Sequence, residues 1–212
     1  MLNDKQKDQL LKEAADSLYD IATNICFKLG DHKKAEPLFQ LGDYEKAEPL
    51  LLQVVAIRKE LFGENNLDYA LSLDKLALIY TFNAQYNKAE PLFKQTLSII
   101  EGLIGKNNPD YFISLNNLAS LYEYQNRYSE SEKLRELVLE FRKGYFGEQH
   151  PAYAASLNNL AILSYLQGNY SQAESLLKKA LLIYQHNQSG NSVEFSKVLD
   201  SLAVVFCKQG KL

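Results

Sequence analysis

The sequence predicts an all-α protein in which antiparallel helix pairs repeat along the chain and stack side by side as a solenoid. The first observation is a spacing of 42 residues that links Leu73, Leu115, Leu157 and Leu199. The second is that the apolar positions inside one repeat follow the periodicity of a helix. One helix pair cannot bury its apolar face alone, so neighbouring pairs are expected to stack.

Further columns of residues carry the same spacing. The leucine column is accompanied by Leu76, Leu118, Leu160 and Leu202, and by Ala77, Ala119, Ala161 and Ala203. A glycine column contains Gly63, Gly105 and Gly147, and a tyrosine column contains Tyr44, Tyr86, Tyr128 and Tyr170. A glutamate column contains Glu48, Glu90, Glu132 and Glu174. So many coincident columns at one period indicate a true structural repeat.

Each repeat is interpreted as two helices. Leu73, Leu76, Ala77 and Tyr80 lie at i, i+3, i+4 and i+7 and so define one face of the first helix. The second helix is expected to open with a capping box, at Asn87 and Glu90 in one repeat and at the matching serines and glutamates in the next two. Pro91 is interpreted as a first-turn proline. Gly105 is expected to end the helix.

The predicted organisation is a single solenoid over residues 1–212. Its pairs are expected at about 13–62, with an insertion at 31–42, and then at about 67–104, 109–146 and 151–186, followed by a terminal helix without a partner at about 192–208. The first pair divides into helices at 13–29 and 44–62. The insertion is inferred because residues 29–38 are nearly repeated by residues 41–50, 12 residues later. Loss of 30 residues between two second helices would explain the duplication equally well.

The terminal helix is apolar on more than one side, at Val204, Val205 and Phe206. Solenoid ends normally carry a polar cap. The chain is therefore expected to be a fragment of a longer protein, to pair with another copy or a partner through this helix, or to end in a short cap.

Composition and motifs exclude several functions. The net charge of -3 and a pI near 5.7 do not favour nucleic-acid binding. Cys26 and Cys207 fit a reducing compartment, and the chain shows no signal peptide and no membrane span, so a cytoplasmic location is expected. His32, His150 and His186 lack neighbours at ligand spacing, so we expect no metal site. No nucleotide or hydrolase motif is present, and the chain is expected to be non-catalytic and without a cofactor.

The repeat resembles the tetratricopeptide pattern in its small residues Ala77 and Ala89, its aromatic Tyr80 and its turn aromatic Tyr86. Within that superfamily it is most similar to repeats of the kinesin light chain type. Residues 114–119 (Ser-Leu-Asn-Asn-Leu-Ala), the same string at 156–161, and residues 86–92 (Tyr-Asn-Lys-Ala-Glu-Pro-Leu) carry this resemblance. It implies a right-handed superhelical solenoid and a concave groove that is lined by the first helices.

The resemblance also implies where a ligand binds. In kinesin light chain repeats an asparagine ladder hydrogen-bonds the backbone of an extended peptide, since an amide both donates and accepts. The matching ladder column here is Lys75, Asn117, Asn159 and Ser201, so two of four rungs are asparagine. The other residues predicted to line the groove are Leu78, Phe82, Asn116, Tyr124, Asn158, Ile162 and Tyr165. Ser120 and Glu123 are also expected on this side.

The predicted function is therefore a non-catalytic scaffold that binds a protein or an extended peptide in the groove around Asn117 and Asn159. The apolar and aromatic groove residues suit a ligand with apolar anchors. The alternative is assembly, in which Val204, Val205 and Phe206 of the terminal helix form a homodimer, or a regulatory role within a larger protein. Neither interpretation involves nucleic acid or membrane.

Overall fold

The computed structural model describes residues 4–27, 44–187 and 193–211. These residues form α-helices and no β-strand, and the all-α class predicted from the sequence is confirmed. The elements are α1 (Asp4–Phe27), α2 (Tyr44–Phe62), α3 (Leu67–Phe82), α4 (Tyr86–Ile104), α5 (Pro109–Tyr124), α6 (Tyr128–Phe146), α7 (Pro151–Leu166), α8 (Tyr170–His186) and α9 (Val193–Lys208). The predicted insertion at 31–42 lies outside the described residues.

The helices fall into two compact units that divide inside α5, after Asn117. In the first unit α1 packs on α2, α2 on α3 and α3 on α4, so each helix contacts its neighbours in sequence. The core contains apolar side chains of all four helices, including Ala22, Leu51, Ile79 and Phe93, none of which is measurably exposed. Small alanines at the contacts let the helix backbones approach closely.

In the second unit α6 packs on α7, α7 on α8, and α9 on both α8 and α7. The core joins the apolar faces of α7 and α8 to two valines of α9, Val198 and Val205. Val205 is only 2% exposed. The prediction that Val205 belongs to an exposed self-association surface is therefore wrong, because the side chain is already covered by its own chain.

The turn inside the second, third and fourth pairs is a Schellman motif, in which two backbone amides cap the carbonyls at the end of the first helix. The Gln85 amide donates to the Tyr80 carbonyl at 2.7 Å, and the Ala84 amide donates to the Thr81 carbonyl at 3.1 Å. This motif needs a positive φ at the residue after the helix cap, and the 42-residue column at this place holds Ala84, Asn126, Gly168 and Gly210, all with positive φ. The three-residue turn makes the two helices of a pair antiparallel.

The tyrosine column marks the start of each second helix, because α2, α4, α6 and α8 all begin at it. The predicted capping box is wrong for this reason. The residue in the capping position of α4 is Gln85, and its side chain makes no capping hydrogen bond. Asn87 lies one residue inside the helix, where it cannot serve as the cap. The same holds at α6 and α8, whose capping positions are Arg127 and Asn169.

Two further details of the helices differ from expectation. Pro91 lies five residues after the start of α4, beyond the first turn, and it faces solvent, where water can satisfy the carbonyl that its missing amide leaves free. The first helix begins at Asp4 rather than at residue 13. By contrast, Gly105 ends α4 as predicted, with φ +79° and its amide donating to Glu101.

Candidate functional site

In each unit predicted groove residues lie on one side of the first helices, which we call the first-helix face. It is carried by α3 and residues 109–117 in the first unit, and by residues 118–124, α7 and α9 in the second. In the first unit this face carries Lys75, Leu78 and Phe82 on α3 and Asn116 and Asn117 on α5, all of them partly exposed. Phe82 is stacked on the ring of Tyr44, at 5.2 Å between centroids. Its ring is therefore held in place by the second helix of the preceding pair.

Asn117 is oriented by a buried carboxylate of α3. Its Nδ2 donates to Oδ2 of Asp74 at 2.8 Å. Asp74 is a buried carboxylate, and burial raises its pKa, opposed by the charge of Lys75. An Asp74 oxygen accepts this bond, so the amide of Asn117 turns its NH2 group towards Asp74. The carbonyl oxygen of Asn117 and one amide hydrogen are not used by this bond.

In the second unit the first-helix face is more apolar. Tyr124, Ile162, Leu166 and Val204 are large apolar side chains that remain exposed there. The ring of Tyr165 lies against Tyr170, the first residue of α8, at 5.6 Å between centroids. This part of the face can therefore cover apolar groups of a ligand.

The polar residues on this part of the face differ in how they are used. Asn158 and Asn159 are partly exposed, and the buried Oδ1 of Asn158 has no hydrogen-bond partner among the residues that the structure describes. Ser201 donates its hydroxyl to the Lys197 carbonyl of its own helix, at 2.9 Å. Ser201 can therefore offer only an acceptor to a ligand.

Two residues expected on the face are turned towards α6 instead. Glu123 accepts from Nε of Arg135 at 2.9 Å and from the Ser131 hydroxyl at 2.6 Å. Ser120 accepts from Nη2 of the same arginine at 2.9 Å. Arg135 is 5% exposed, so this is an ion pair inside the helix pair and not part of a binding surface. The prediction that Ser120 and Glu123 line the groove is wrong.

The glutamate column has another role than capping. Glu132 accepts from Nε2 of Gln167 at 3.4 Å, and Gln167 lies in the turn of the next helix pair. Glu174 contacts Lys211, which lies in the turn that follows α9, at 2.6 Å. Through these contacts each glutamate connects the second helix of one pair to the turn that follows the next first helix. Their contacts are structural and give no pair of carboxylates arranged for acid–base work.

The remaining predictions concern self-association through the terminal helix, the cysteine Cys207 and possible metal sites. Val204 is exposed, whereas Phe206 is partly covered by the ammonium groups of Lys178 and Lys211, at 5.9 and 5.7 Å from its ring. Cys207 is exposed and free. Within the described ranges no group of His, Cys, Asp or Glu could hold a metal ion. No described helix is long and apolar enough to cross a membrane.

The geometry described above is that of tandem antiparallel helix pairs with a repeated, partly apolar first-helix face. A sequence profile of the tetratricopeptide repeat family matches residues 38–102, 75–143 and 110–186. The chain therefore belongs to the tetratricopeptide repeat family. Domains of this family are generally protein–protein interaction modules and non-catalytic scaffolds.

Solved structures agree with this family at the level of fold. A variant of a Podosopora anserina protein, named as a kinesin light chain with nearly identical TPR-like repeats, is 22% identical with a TM-score of 0.70. That match covers 96% of this chain and 88% of the other. BtubC (BKLC) from P. vanneervenii is 21% identical with a TM-score of 0.68, covering 98% and 84%.

A third similar structure is pilF of Pseudomonas aeruginosa, at 18% identity and a TM-score of 0.58, covering 95% of this chain and 71% of the other. No curated protein sequence matches the chain. Identities this low support the shared fold alone. The resemblance to kinesin light chain repeats that the sequence suggested thus holds for the architecture.

Proposed function

We propose that the first-helix face binds an extended peptide segment of a partner protein, in the cytoplasm and without catalysis. The observation that supports this most directly is the hydrogen bond between Asn117 and Asp74. A buried carboxylate fixes the orientation of a side chain whose remaining donor and acceptor are the groups that a peptide backbone needs. A fixed amide also loses less conformational entropy when a ligand binds.

The second unit supports the same function through its apolar side chains. Ile162, Leu166 and Val204 are exposed on its first-helix face, which also carries Asn158 and Asn159. Apolar anchors next to polar backbone contacts are the usual arrangement for peptide recognition. We expect a ligand with large apolar residues, because large apolar side chains remain exposed on this face.

The test begins with a random peptide library that is panned on the whole chain. The affinity of the enriched peptides is then measured by fluorescence anisotropy for Asn159→Ala, Asn117→Ala and Ile162→Ser. Each lost amide should weaken binding by about 0.5–1.5 kcal/mol, the usual net contribution of one hydrogen bond. Ile162→Ser should weaken it further, since an exposed anchor is removed.

Asn87→Ala is the matched control, because Asn87 is an exposed asparagine on a second helix. It should leave the affinity unchanged. Thermal unfolding of each variant separates loss of binding from loss of structure, which matters most for Asn117→Ala because it leaves Asp74 without its donor. Equal affinity of the enriched peptides for wild type, Asn159→Ala and Ile162→Ser would show that they bind elsewhere.

A further inference from the structure

The exposed side of α6 carries an apolar ridge that the peptide-binding proposal does not use. Leu137, Phe141 and Tyr145 follow one another at intervals of four residues, so they form one ridge along the helix. Leu137 is 55% exposed and Tyr145 is 58% exposed. Second helices of a stacked array normally show a polar outer side, so an apolar ridge here indicates a contact surface.

The rings at the end of this ridge form a continuous stack. Phe141 and Tyr145 lie 5.2 Å apart between centroids, Tyr145 and Phe146 lie 4.7 Å apart, and Phe146 lies 4.5 Å from the imidazole of His150. Each ring is thus supported by its neighbour, and the surface presents a pre-ordered aromatic area. A fixed aromatic surface loses little rotamer entropy on association.

Gly144 lies on the same face of α6, close to the line of the ridge. It is exposed, and a Cβ built on it would meet no atom within 4 Å. Glycine is a weaker helix former than alanine, and no described atom lies close enough to exclude a Cβ at this position. Its absent side chain leaves open space on this face of the helix, into which a side chain of another helix fits.

We propose that this ridge pairs with the same ridge of a second copy of the chain, through an antiparallel two-fold contact between the two α6 helices. A two-fold axis at the middle of the ridge, between Glu140 and Phe141, places Leu137 of one copy opposite Gly144 of the other. Because of the two-fold axis this contact occurs twice: Leu137 of each copy lies over Gly144 of the other. Such self-complementarity is what a two-fold dimer requires.

Charge along α6 supports the same arrangement. The axis that pairs Leu137 with Gly144 also places Lys133 of one copy near Glu148 of the other, since both are equally far from the axis. Glu148 already pairs with Lys143 and Lys179 of its own copy, so Lys133 would add a third cation to this carboxylate. Lys133 makes no ion pair among the residues that the structure describes. Glu140 lies beside the axis and therefore near its own equivalent, and this contact of two carboxylates is unfavourable.

The strength of this dimer is limited by its area. A fully buried aromatic residue covers about 150–250 Å², so the ridge supplies a few hundred Å² per copy, which is less than the roughly 800 Å² per partner of a standard interface. The contact is therefore a weak dimer, with a dissociation constant between about 10 µM and 1 mM.

The test is sedimentation equilibrium of the whole chain from micromolar to millimolar concentration. Wild type should show a monomer–dimer equilibrium, and Leu137→Ser or Tyr145→Ser should weaken it at least tenfold. Gly144→Ala should weaken it several-fold although alanine favours the helix. Gly102→Ala is the matched control, because Gly102 is the equivalent glycine of α4, has equal free space for a Cβ, and should leave the dimer unchanged.

The position of the axis has its own test. Glu140→Gln should tighten the dimer severalfold, because two nearby carboxylates lose their charge. Glu140→Cys, in a background of Cys26→Ser and Cys207→Ser, should be cross-linked to itself by a short bis-maleimide, whereas Gln172→Cys on α8 should not. A chain that is monomeric at every concentration overturns the proposal. So does a dimer that Val204→Glu abolishes and Tyr145→Ser leaves intact.

Discussion

The third and fourth helix pairs occupy equivalent positions in the repeat and yet stabilise the contact between their two helices by opposite chemistry. In the third pair Arg135 of α6 is buried and paired with Glu123 of α5. In the fourth pair the equivalent positions are Leu177 and Tyr165, and Leu177 is buried in an apolar core. Leu51 and Phe93 occupy the same column in the earlier pairs, and both are fully buried. The repeat backbone therefore accepts either an ion pair or apolar packing at one site.

The difference indicates what the ion pair contributes. A buried salt bridge gains Coulomb energy but costs desolvation of two charges, so it is often no more stable than apolar residues of similar volume. Arg135 offsets part of that cost with hydrogen bonds to Ser120 and to both carboxylate oxygens of Glu123. We therefore expect the stability of the third pair to fall strongly when either Arg135 or Glu123 is replaced alone. Replacing both with apolar residues should cost much less.

The largest predicted effect comes from removing one partner. Arg135→Leu leaves the largely buried Glu123 carboxylate without its cation, with only the Ser131 hydroxyl still donating to it, and we expect it to destabilise the chain by about 3 kcal/mol. Arg135→Leu with Glu123→Tyr recreates the residues of the fourth pair and should recover most of that loss. Urea unfolding of wild type, both single variants and the double variant gives the coupling energy.

Leu177→Ala in the fourth pair serves as the reference for a cavity without charge, at about 2–5 kcal/mol. If the double variant is as unstable as Arg135→Leu, the two pairs differ in backbone geometry and not only in side-chain chemistry. That outcome would contradict the equivalence of the repeat positions.

The third and fourth pairs also differ in the residue that adopts a positive φ in the turn between their helices. Substitutions there should change the free energy of unfolding less than those of the ion pair. Gly168 holds φ +82° in the fourth pair, and Asn126 holds φ +59° at the equivalent place in the third. Gly168→Ala should destabilise by about 1–2 kcal/mol, because a left-handed conformation costs an ordinary residue that much. Asn126→Gly should change stability by less than about 0.5 kcal/mol, since asparagine tolerates this region and its bond with the Tyr128 hydroxyl is exposed.

Ala84 of the second pair extends this series, because it holds φ +56° without the advantage of glycine or asparagine. Ala84→Gly should therefore stabilise the chain by about 1 kcal/mol. Thermal unfolding measures all three variants. A stabilising Gly168→Ala would mean that the turn does not keep its left-handed residue in solution.

Much of the repeat could be predicted from sequence because its signals are local. The tyrosine column begins the second helices and the glycine column ends them, and each is visible within one repeat. The capping box failed because Asn87 and Glu90 match a motif but lie two residues too far along the helix, whose capping residue is Gln85. The burial of Val205 could have been predicted from the 42-residue spacing. Ile79, Leu121 and Leu163 lie at the matching positions of the earlier repeats, and all three are buried. Comparison of columns is therefore more informative than hydrophobicity along one helix.

The candidate site was harder to predict because its key contacts join different helix pairs. Asp74 and Asn117 are separated by 43 residues and meet only when α3 and α5 are folded. The sequence did contain a sign of the ion pair between Arg135 and Glu123. Arg135 occupies a 42-residue column whose other members are buried apolar residues, so a buried partner for its charge could have been expected. The ion pair was missed because Glu123 also fits the periodicity of the first-helix face, and periodicity alone does not decide which of two adjacent sides a residue takes.

The smallest predicted effect concerns the glutamate that links the fourth pair to the turn after α9. Salt bridges of 2.6 Å with Lys178 and Lys211 lower the pKa of Glu174 from its usual 4.5 to about 2. A lowered pKa means that the folded state prefers the charged form. The contribution of Glu174 to stability is therefore complete above about pH 4.5 and is lost as the pH falls towards 2.

Titration of Glu174 by NMR should give a midpoint well below that of an ordinary glutamate, and Lys211→Met should raise it because one of the two cations is lost. Lys179→Met is the control, since Lys179 pairs with Glu148 and not with Glu174. The contact is at the surface, so added salt should move the midpoint back towards its usual value. If neither Lys211→Met nor added salt changes the titration midpoint of Glu174, this glutamate does not connect the fourth pair to the turn after α9.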